Sequence, residues 1–159
     1  MKKRCLIILL GYLLSPFFIF ANEQTSEQFY DDGCKNFKEG DYESSVVDFE
    51  NAINLDKDYF VIMTGNGVFE RLLKAGKKNM LISQEIVKIC GHILQDEERK
   101  DFFVFLYLGW AQLNLMNKKE SIKNLKVCLK KMKKNGLNTE VALKLLEEAK
   151  ALNKKPENK

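Results

Sequence analysis

The stretch "LYLGWAQLNLMNKKESIKNLKVCLK", residues 106–130, decides how the rest of the chain is read. It places Gly109 inside an apolar run, directly before Trp110, the only tryptophan, and resumes a milder apolar rhythm after a short basic break at Lys118 and Lys119. A glycine in a helix interior costs about 1 kcal/mol against alanine, so a helix that keeps one needs a packing reason. Where two helices of a hairpin cross, a missing side chain lets their axes approach. The stretch therefore predicts one helix over about 98–116 and a second over about 119–133, packed on each other.

Composition agrees with a helical reading. Of 159 residues, 45 % are hydrophobic and 11 % aromatic, enough for a core and too much for a wholly disordered chain. Two prolines and nine glycines among abundant Leu, Lys, Glu and Asn favour helix over sheet. The fold class expected is all-α.

Working outward, the apolar spacing predicts two more hairpins. The first joins a helix from about Thr25 to Glu39, with Phe29, Gly33 and Phe37 on one stripe, to a helix from about Tyr42 to Leu55 that turns Val46, Phe49, Ala52 and Ile53 inward. The second joins residues 59–75, carrying Met63, Gly67 and Leu73, to residues 80–95, carrying Ile82, Ile86, Ile89 and Ile93. The landmarks Ser45, Ser83 and Ser121 recur every 38 residues, as do Phe49, Val87 and Leu125, and Ala52, Cys90 and Cys128. A last helix, 137–153, begins after "KNG" and puts Val141, Leu145, Leu146, Ala149 and Leu152 on one side.

These residues resemble the tetratricopeptide repeat, whose pattern runs from an aromatic through Leu-Gly to a small residue, an aromatic and an alanine in the second helix. Phe105, Leu108, Gly109, Ser121, Leu125 and Cys128 match it in the third unit, and Phe29, Gly33, Tyr42, Ser45, Phe49 and Ala52 in the first. The second keeps Gly67, Ser83 and Cys90 with extra residues between and after its helices, and all units lack the closing proline, Lys57 and Lys133 standing in two of those places. The resemblance implies a right-handed α-solenoid: three stacked hairpins, at about 25–58, 59–96 and 98–133, closed by a capping helix over 137–153, with a tail at 154–159. It also implies a concave groove lined by the first helix of each pair, which nominates Tyr30, Phe37, Thr64, Val68, Arg71, Phe103, Leu106, Trp110 and Leu113, with Cys34, Val61 and Leu72 beside them. The Lys/Asn clamp by which some members of the family grip a C-terminal carboxylate is not recognisable.

Residues 1–21 obey other rules. Lys2, Lys3 and Arg4 precede an apolar stretch from Cys5 to Phe20 that is interrupted by Gly11 and Pro16 and ends at Ala21 before "NEQTSEQ". This is the layout of a bacterial secretory signal peptide, although Ile19 stands where a small residue is preferred. The alternative is an uncleaved inner-membrane anchor through residues 5–20, which falls short of the roughly 20 apolar residues a spanning helix needs. Removing the leader lowers the net charge from +4 to +1, and the remaining charge is segregated: residues 22–58 hold 11 acids and 3 bases, residues 118–159 hold 13 bases and 5 acids.

Chemistry finds little to stand on. His92 is the only histidine, and no Cys-x-x-Cys or His-x-x-x-His spacing exists to hold zinc. No nucleophile elbow accompanies a serine, and "GNG" at 65–67 lacks the Gly-Lys-Ser/Thr of a phosphate loop. Neither an enzyme nor a cofactor is expected. Cys90 and Cys128, at equivalent places of adjacent units, lie too far apart to bridge and read as small buried residues, with Cys34 packed by default. The basic C-terminal end raises nucleic acid or anionic lipid as a partner, but its lysines follow helix faces without arginine or interleaved aromatics, and a solvated face is expected. The expectation is an exported, periplasmic or secreted adaptor that binds a protein or peptide segment and, once the leader is cut, no membrane. A self-associating envelope subunit, acidic start against basic end, is the alternative.

Overall fold

The computed structural model of the chain describes residues 24–152, which are mostly helical with short connections and contain no strand. The predicted leader and the tail at 154–159 lie outside the described residues. Eight α-helices follow in order: α1 (Ser26–Glu39), α2 (Tyr42–Leu55), α3 (Asp58–Gly65), α4 (Val68–Gly76), α5 (Met80–Ile93), α6 (Phe102–Asn114), α7 (Lys118–Lys134) and α8 (Glu140–Ala151). None is long and apolar enough to cross a membrane.

Side-chain caps set half of the helix starts. Thr25 and Gln28 form a reciprocal capping box before α1, Asp41 accepts from the Ser44 amide before α2, and Asn79 accepts from the Leu81 amide before α5. Asp101 accepts from both the Phe103 and Val104 amides, at 2.8 and 3.1 Å, so α6 begins at Phe102 rather than at 98; residues Glu97–Arg99 instead form a 3₁₀ turn capped by Asp96.

Packing runs within each hairpin and between one hairpin and the next, with the last helix on the third. α1 lies along α2 and α6 along α7; α2 meets α3, α4 and α5; α4 meets α5 and α6; α5 meets α6; and α8 lies on α6 and α7. No substantial contact joins α1 or α2 to α6, α7 or α8. The core runs through these interfaces, with Val46, Phe49, Ala52, Ile53, Ile86, Ile93, Leu125 and Cys128 fully buried. At its centre the Tyr107 ring stacks on Phe69 at 5.0 Å, and Phe60 packs on Phe69 at 5.0 Å. Burial first, then nearby carboxylates, pushes the Tyr107 phenol well above its ordinary range.

The first and third hairpins close by one contact. A Cβ on Gly33 would stand 2.7 Å from the Phe49 ring and one on Gly109 would stand 2.7 Å from Leu125 Cγ. In each, a serine four residues before that partner donates to the glycine carbonyl twelve residues back, Ser45 to Gly33 at 3.0 Å and Ser121 to Gly109 at 2.8 Å.

The second hairpin departs from expectation. The helix predicted over 59–75 is two, α3 and α4, because Gly65, Asn66 and Gly67 together are too poor a set of helix formers to carry it through. Gly67 sits in the turn with φ +66°, a left-handed conformation natural to glycine, and nothing lies within 4 Å of its Cβ position. It is no helix-crossing glycine. Gly76 takes that place: a Cβ there would meet Ser83 Oγ at 2.6 Å, and the Ser83 hydroxyl donates to its carbonyl at 3.4 Å, seven residues back instead of twelve. Val87, the predicted counterpart of Phe49 and Leu125, is only half-buried.

Candidate partner-binding groove

Three helices border an open groove of about 610 Å³ on one side of the molecule: α4, α6 and α8. Leu73 comes from α4, Trp110 and Leu113 from α6, Leu145 from α8, and Leu152 from just beyond it. These make an apolar floor, with Leu73 fully buried beneath and Trp110 half-buried. Met116 and Val141, 63 % and 52 % exposed, stand at its edge. Glu70, Lys74 and Lys77 on one bank and Lys144 and Glu148 on the other add a rim of both signs, all exposed.

Two hydrogen-bonded struts hold the banks. The Asn114 amide donates to the Leu73 carbonyl at 2.8 Å and to Ser83 Oγ at 3.2 Å, tying the end of α6 to the end of α4 and the start of α5. The Lys118 amine donates to the Leu152 carbonyl at 2.6 Å, pinning the end of α8 to the start of α7. The walls are thus set by backbone placement, while Trp110 supplies a large apolar face with a polar N–H, the side chain most often found at the energetic centre of protein interfaces.

Of the residues nominated from the sequence, the groove takes in Trp110 and Leu113. Val68 and Leu106 are buried, as is Leu72. Phe103 stacks over Tyr107 at 5.9 Å, and the Thr64 hydroxyl is buried. Tyr30 packs between Tyr59 and Phe49 and receives a bond from the Asn66 amide at 3.3 Å; burial, more than any neighbour, raises its phenol. The Arg71 guanidinium lies 5.9 Å over the Phe37 ring, so these two cover each other, and Val61 is exposed on α3 away from the groove.

Sequence reasoning chose Val68 and Arg71 on α4, where the groove takes Glu70, Leu73 and Lys74 instead, and it left out α8. Val141, expected on the packed side of α8 with Leu145 and Leu146, is 52 % exposed, and Ala142 is buried instead. The sign was present: Val141 and Leu143 alongside Ala142, Leu145, Leu146 and Ala149 give α8 more apolar surface than one packed stripe needs. Cys90 and Cys128 are buried free thiols, the latter pushed up to about 12 by burial, and Cys34 is a half-buried free thiol. No group of metal-binding side chains occurs among the described residues.

Comparisons with protein-family models, with curated proteins and with solved structures find no match to this chain.

Proposed function

We propose that the chain is a non-enzymatic adaptor of the bacterial cell envelope, built as a short tetratricopeptide-like array, that holds a segment of another protein in the groove between α4, α6 and α8. The observation that carries it is that groove: an apolar floor with a half-buried tryptophan and no covering element among the described residues. An array reading draws support from the neighbour-only packing and from the repeated glycine contacts of Gly33 and Gly109. Export rests on the leader-like residues 1–21 alone. A buried apolar anchor with adaptable charges around it suits a protein segment better than a small polar metabolite.

Photo-crosslinking in the native envelope tests it. A photoreactive side chain at Met116, on the groove's edge, should form one discrete protein adduct that Trp110→Ala abolishes, while the same group at Lys126 on α7 should not. Equal adducts from both positions, or an adduct indifferent to Trp110→Ala, would refute the groove.

The charge segregation favours a second reading, head-to-tail self-association of the acidic start with the basic end. It requires sedimentation that falls toward monomer as salt rises. Its weakness is that α1 interleaves its acids with Lys35 and Lys38, while the acids of α2 are taken up within the fold, Glu43 by Asn79, Asp48 by Asn36 and Glu50 by Glu85, leaving no free acidic line to match the basic one on α7.

A further inference from the structure

Helix α7 carries eight lysines and one acid, Glu120, and the fold uses two of those lysines internally. Lys118 closes the Leu152 carbonyl, and Lys131 donates to the Lys100 carbonyl at 2.7 Å while lying 5.6 Å over the Phe105 ring. The other six are exposed. Lys119, Lys123, Lys126, Lys130 and Lys133 step by four, three, four and three, which keeps them in one line about 21 Å long at 1.5 Å per residue. Ser121, Leu125, Cys128 and Met132, on the opposite side, are buried. Only Lys123 has an ion-pair partner among the described residues, Glu120 at 3.3 Å, an exposed pair of small worth.

We propose that this lysine line is a docking surface for an anionic lipid leaflet, on which the protein lies with the outer face of α7 toward the headgroups. Charge complementarity identifies the occupant. Lysine ammonium groups are compact point charges that suit a dense, laterally mobile field of phosphates, whereas nucleic-acid surfaces draw on arginine forks and stacking aromatics, and the exposed face of α7 has neither. A second copy is disfavoured because α1 presents mixed signs and the acids of α2 are held by Asn79, Asn36 and Glu85. Overall polarity acts in the same sense, since residues 24–58 hold ten acids and three bases and would be turned away from such a surface. No residue of α7 lines the groove, so docking this face leaves the groove open to a partner. The proposal goes beyond the expectation that the mature chain leaves the membrane altogether, and it stands whether or not the groove binds a segment.

Vesicle co-sedimentation of the full chain decides it, with phosphatidylcholine vesicles set against equal mixtures of phosphatidylcholine and phosphatidylglycerol. Neutralising the line (Lys119→Gln, Lys123→Gln, Lys126→Gln, Lys130→Gln and Lys133→Gln together) should weaken partitioning onto the anionic vesicles by about tenfold or more, with an unchanged helical spectrum. A variant of identical net charge, with Lys35, Lys38, Lys74, Lys78 and Lys144 changed to Gln, should lose no more than about threefold. The leader is common to all three proteins and cancels. The proposal is overturned if the line variant partitions like the parent, if the scattered variant loses as much, or if duplex oligonucleotide at equal phosphate strips the parent from the vesicles.

Discussion

The hydroxyl of Ser45 donates to the carbonyl of Gly33 across the first hairpin at 3.0 Å, and Phe49, one turn further on, fills the space that a side chain on Gly33 would need. The same relationship joins Ser121, Gly109 and Leu125 in the third hairpin. Gly→Ala at either site gains helix propensity of about 1 kcal/mol and loses more to overpacking, typically about 1–3 kcal/mol. Gly109→Ala should be the worse of the two, because its Cβ also approaches the Leu125 backbone nitrogen at 3.2 Å, which cannot swing aside as a ring can. Gly91, exposed in α5 with nothing within 4 Å, serves as the contrast and should stabilise by about 0.5–1 kcal/mol on change to alanine. Urea midpoints at constant m-value read all three; a stabilised Gly109→Ala would remove the helix-crossing account.

Gly67→Ala tests the correction to the second hairpin. Were Gly67 at a helix crossing, alanine would clash; in the turn it meets open space and only the left-handed backbone, at φ +66°, resists it. The expected loss is about 1–2 kcal/mol with no change in packing. Asparagine, which tolerates that conformation, should recover much of it. Failure of Gly67→Asn to exceed Gly67→Ala in stability would return the glycine to a packing role.

Legibility followed the strength of the local signal. Phe49 and Leu125 could be placed because small residues, turn residues and a strict spacing of 38 agreed at both ends of the chain. The middle was harder: a 3.6-residue apolar rhythm runs through Phe60, Met63 and Leu72 and conceals the break at residues 65–67, since periodicity reports the buried face and not the continuity of the helix. For the groove, repeat phase points to α1, to Thr64, Val68 and Arg71 of α3 and α4, and to α6, but Tyr30 and Phe37 of α1 pack against Tyr59 and Arg71, and Val68 is buried. Which first-helix residues remain open depends on how far successive pairs turn, and that angle is tertiary information absent from any one repeat. Lys74 and Lys144 become neighbours of Trp110 only through it.

Asn114 is where three helices are tied. Its amide meets both the Leu73 carbonyl and Ser83 Oγ in a half-buried site, so Asn114→Ala leaves two acceptors without their donor, a loss of about 1–3 kcal/mol. The effect should be local as well as global: hydrogen exchange should speed up at the end of α4 and the start of α5 before it does in α2. Asn114→Asp should do no better than alanine, since a carboxylate offers no donor and faces a carbonyl. Uniform exchange changes across α2 and α4 would instead show that the strut has no local role.

Glu50 of α2 and Glu85 of α5 form a carboxyl pair across the interface of the first two hairpins. Glu85 is only 6 % exposed and takes the Lys88 amine at 2.7 and 2.8 Å; burial works to raise it, but the bonds from Lys88 and Glu50 outweigh burial and hold it below its ordinary value. Glu50 goes the other way, pushed up to about 7, first by burial and then by the hydrogen bond to Glu85 and its charge, against a smaller pull from Lys88. Between the ordinary carboxyl value of 4.5 and about 7 the folded chain therefore holds a proton on Glu50 that the unfolded chain has released. Stability must fall as pH rises through that window and level off above it. Glu85 has the opposite sign, and its contribution is lost only in acid, below 4.5. Thermal midpoints should thus be higher at pH 5 than at pH 8 in the parent and equal at the two in Glu50→Gln, whose amide keeps a donor toward Glu85 without a proton to lose. A parent profile flat across the window, or one whose slope survives in Glu50→Gln, would place the shared proton elsewhere.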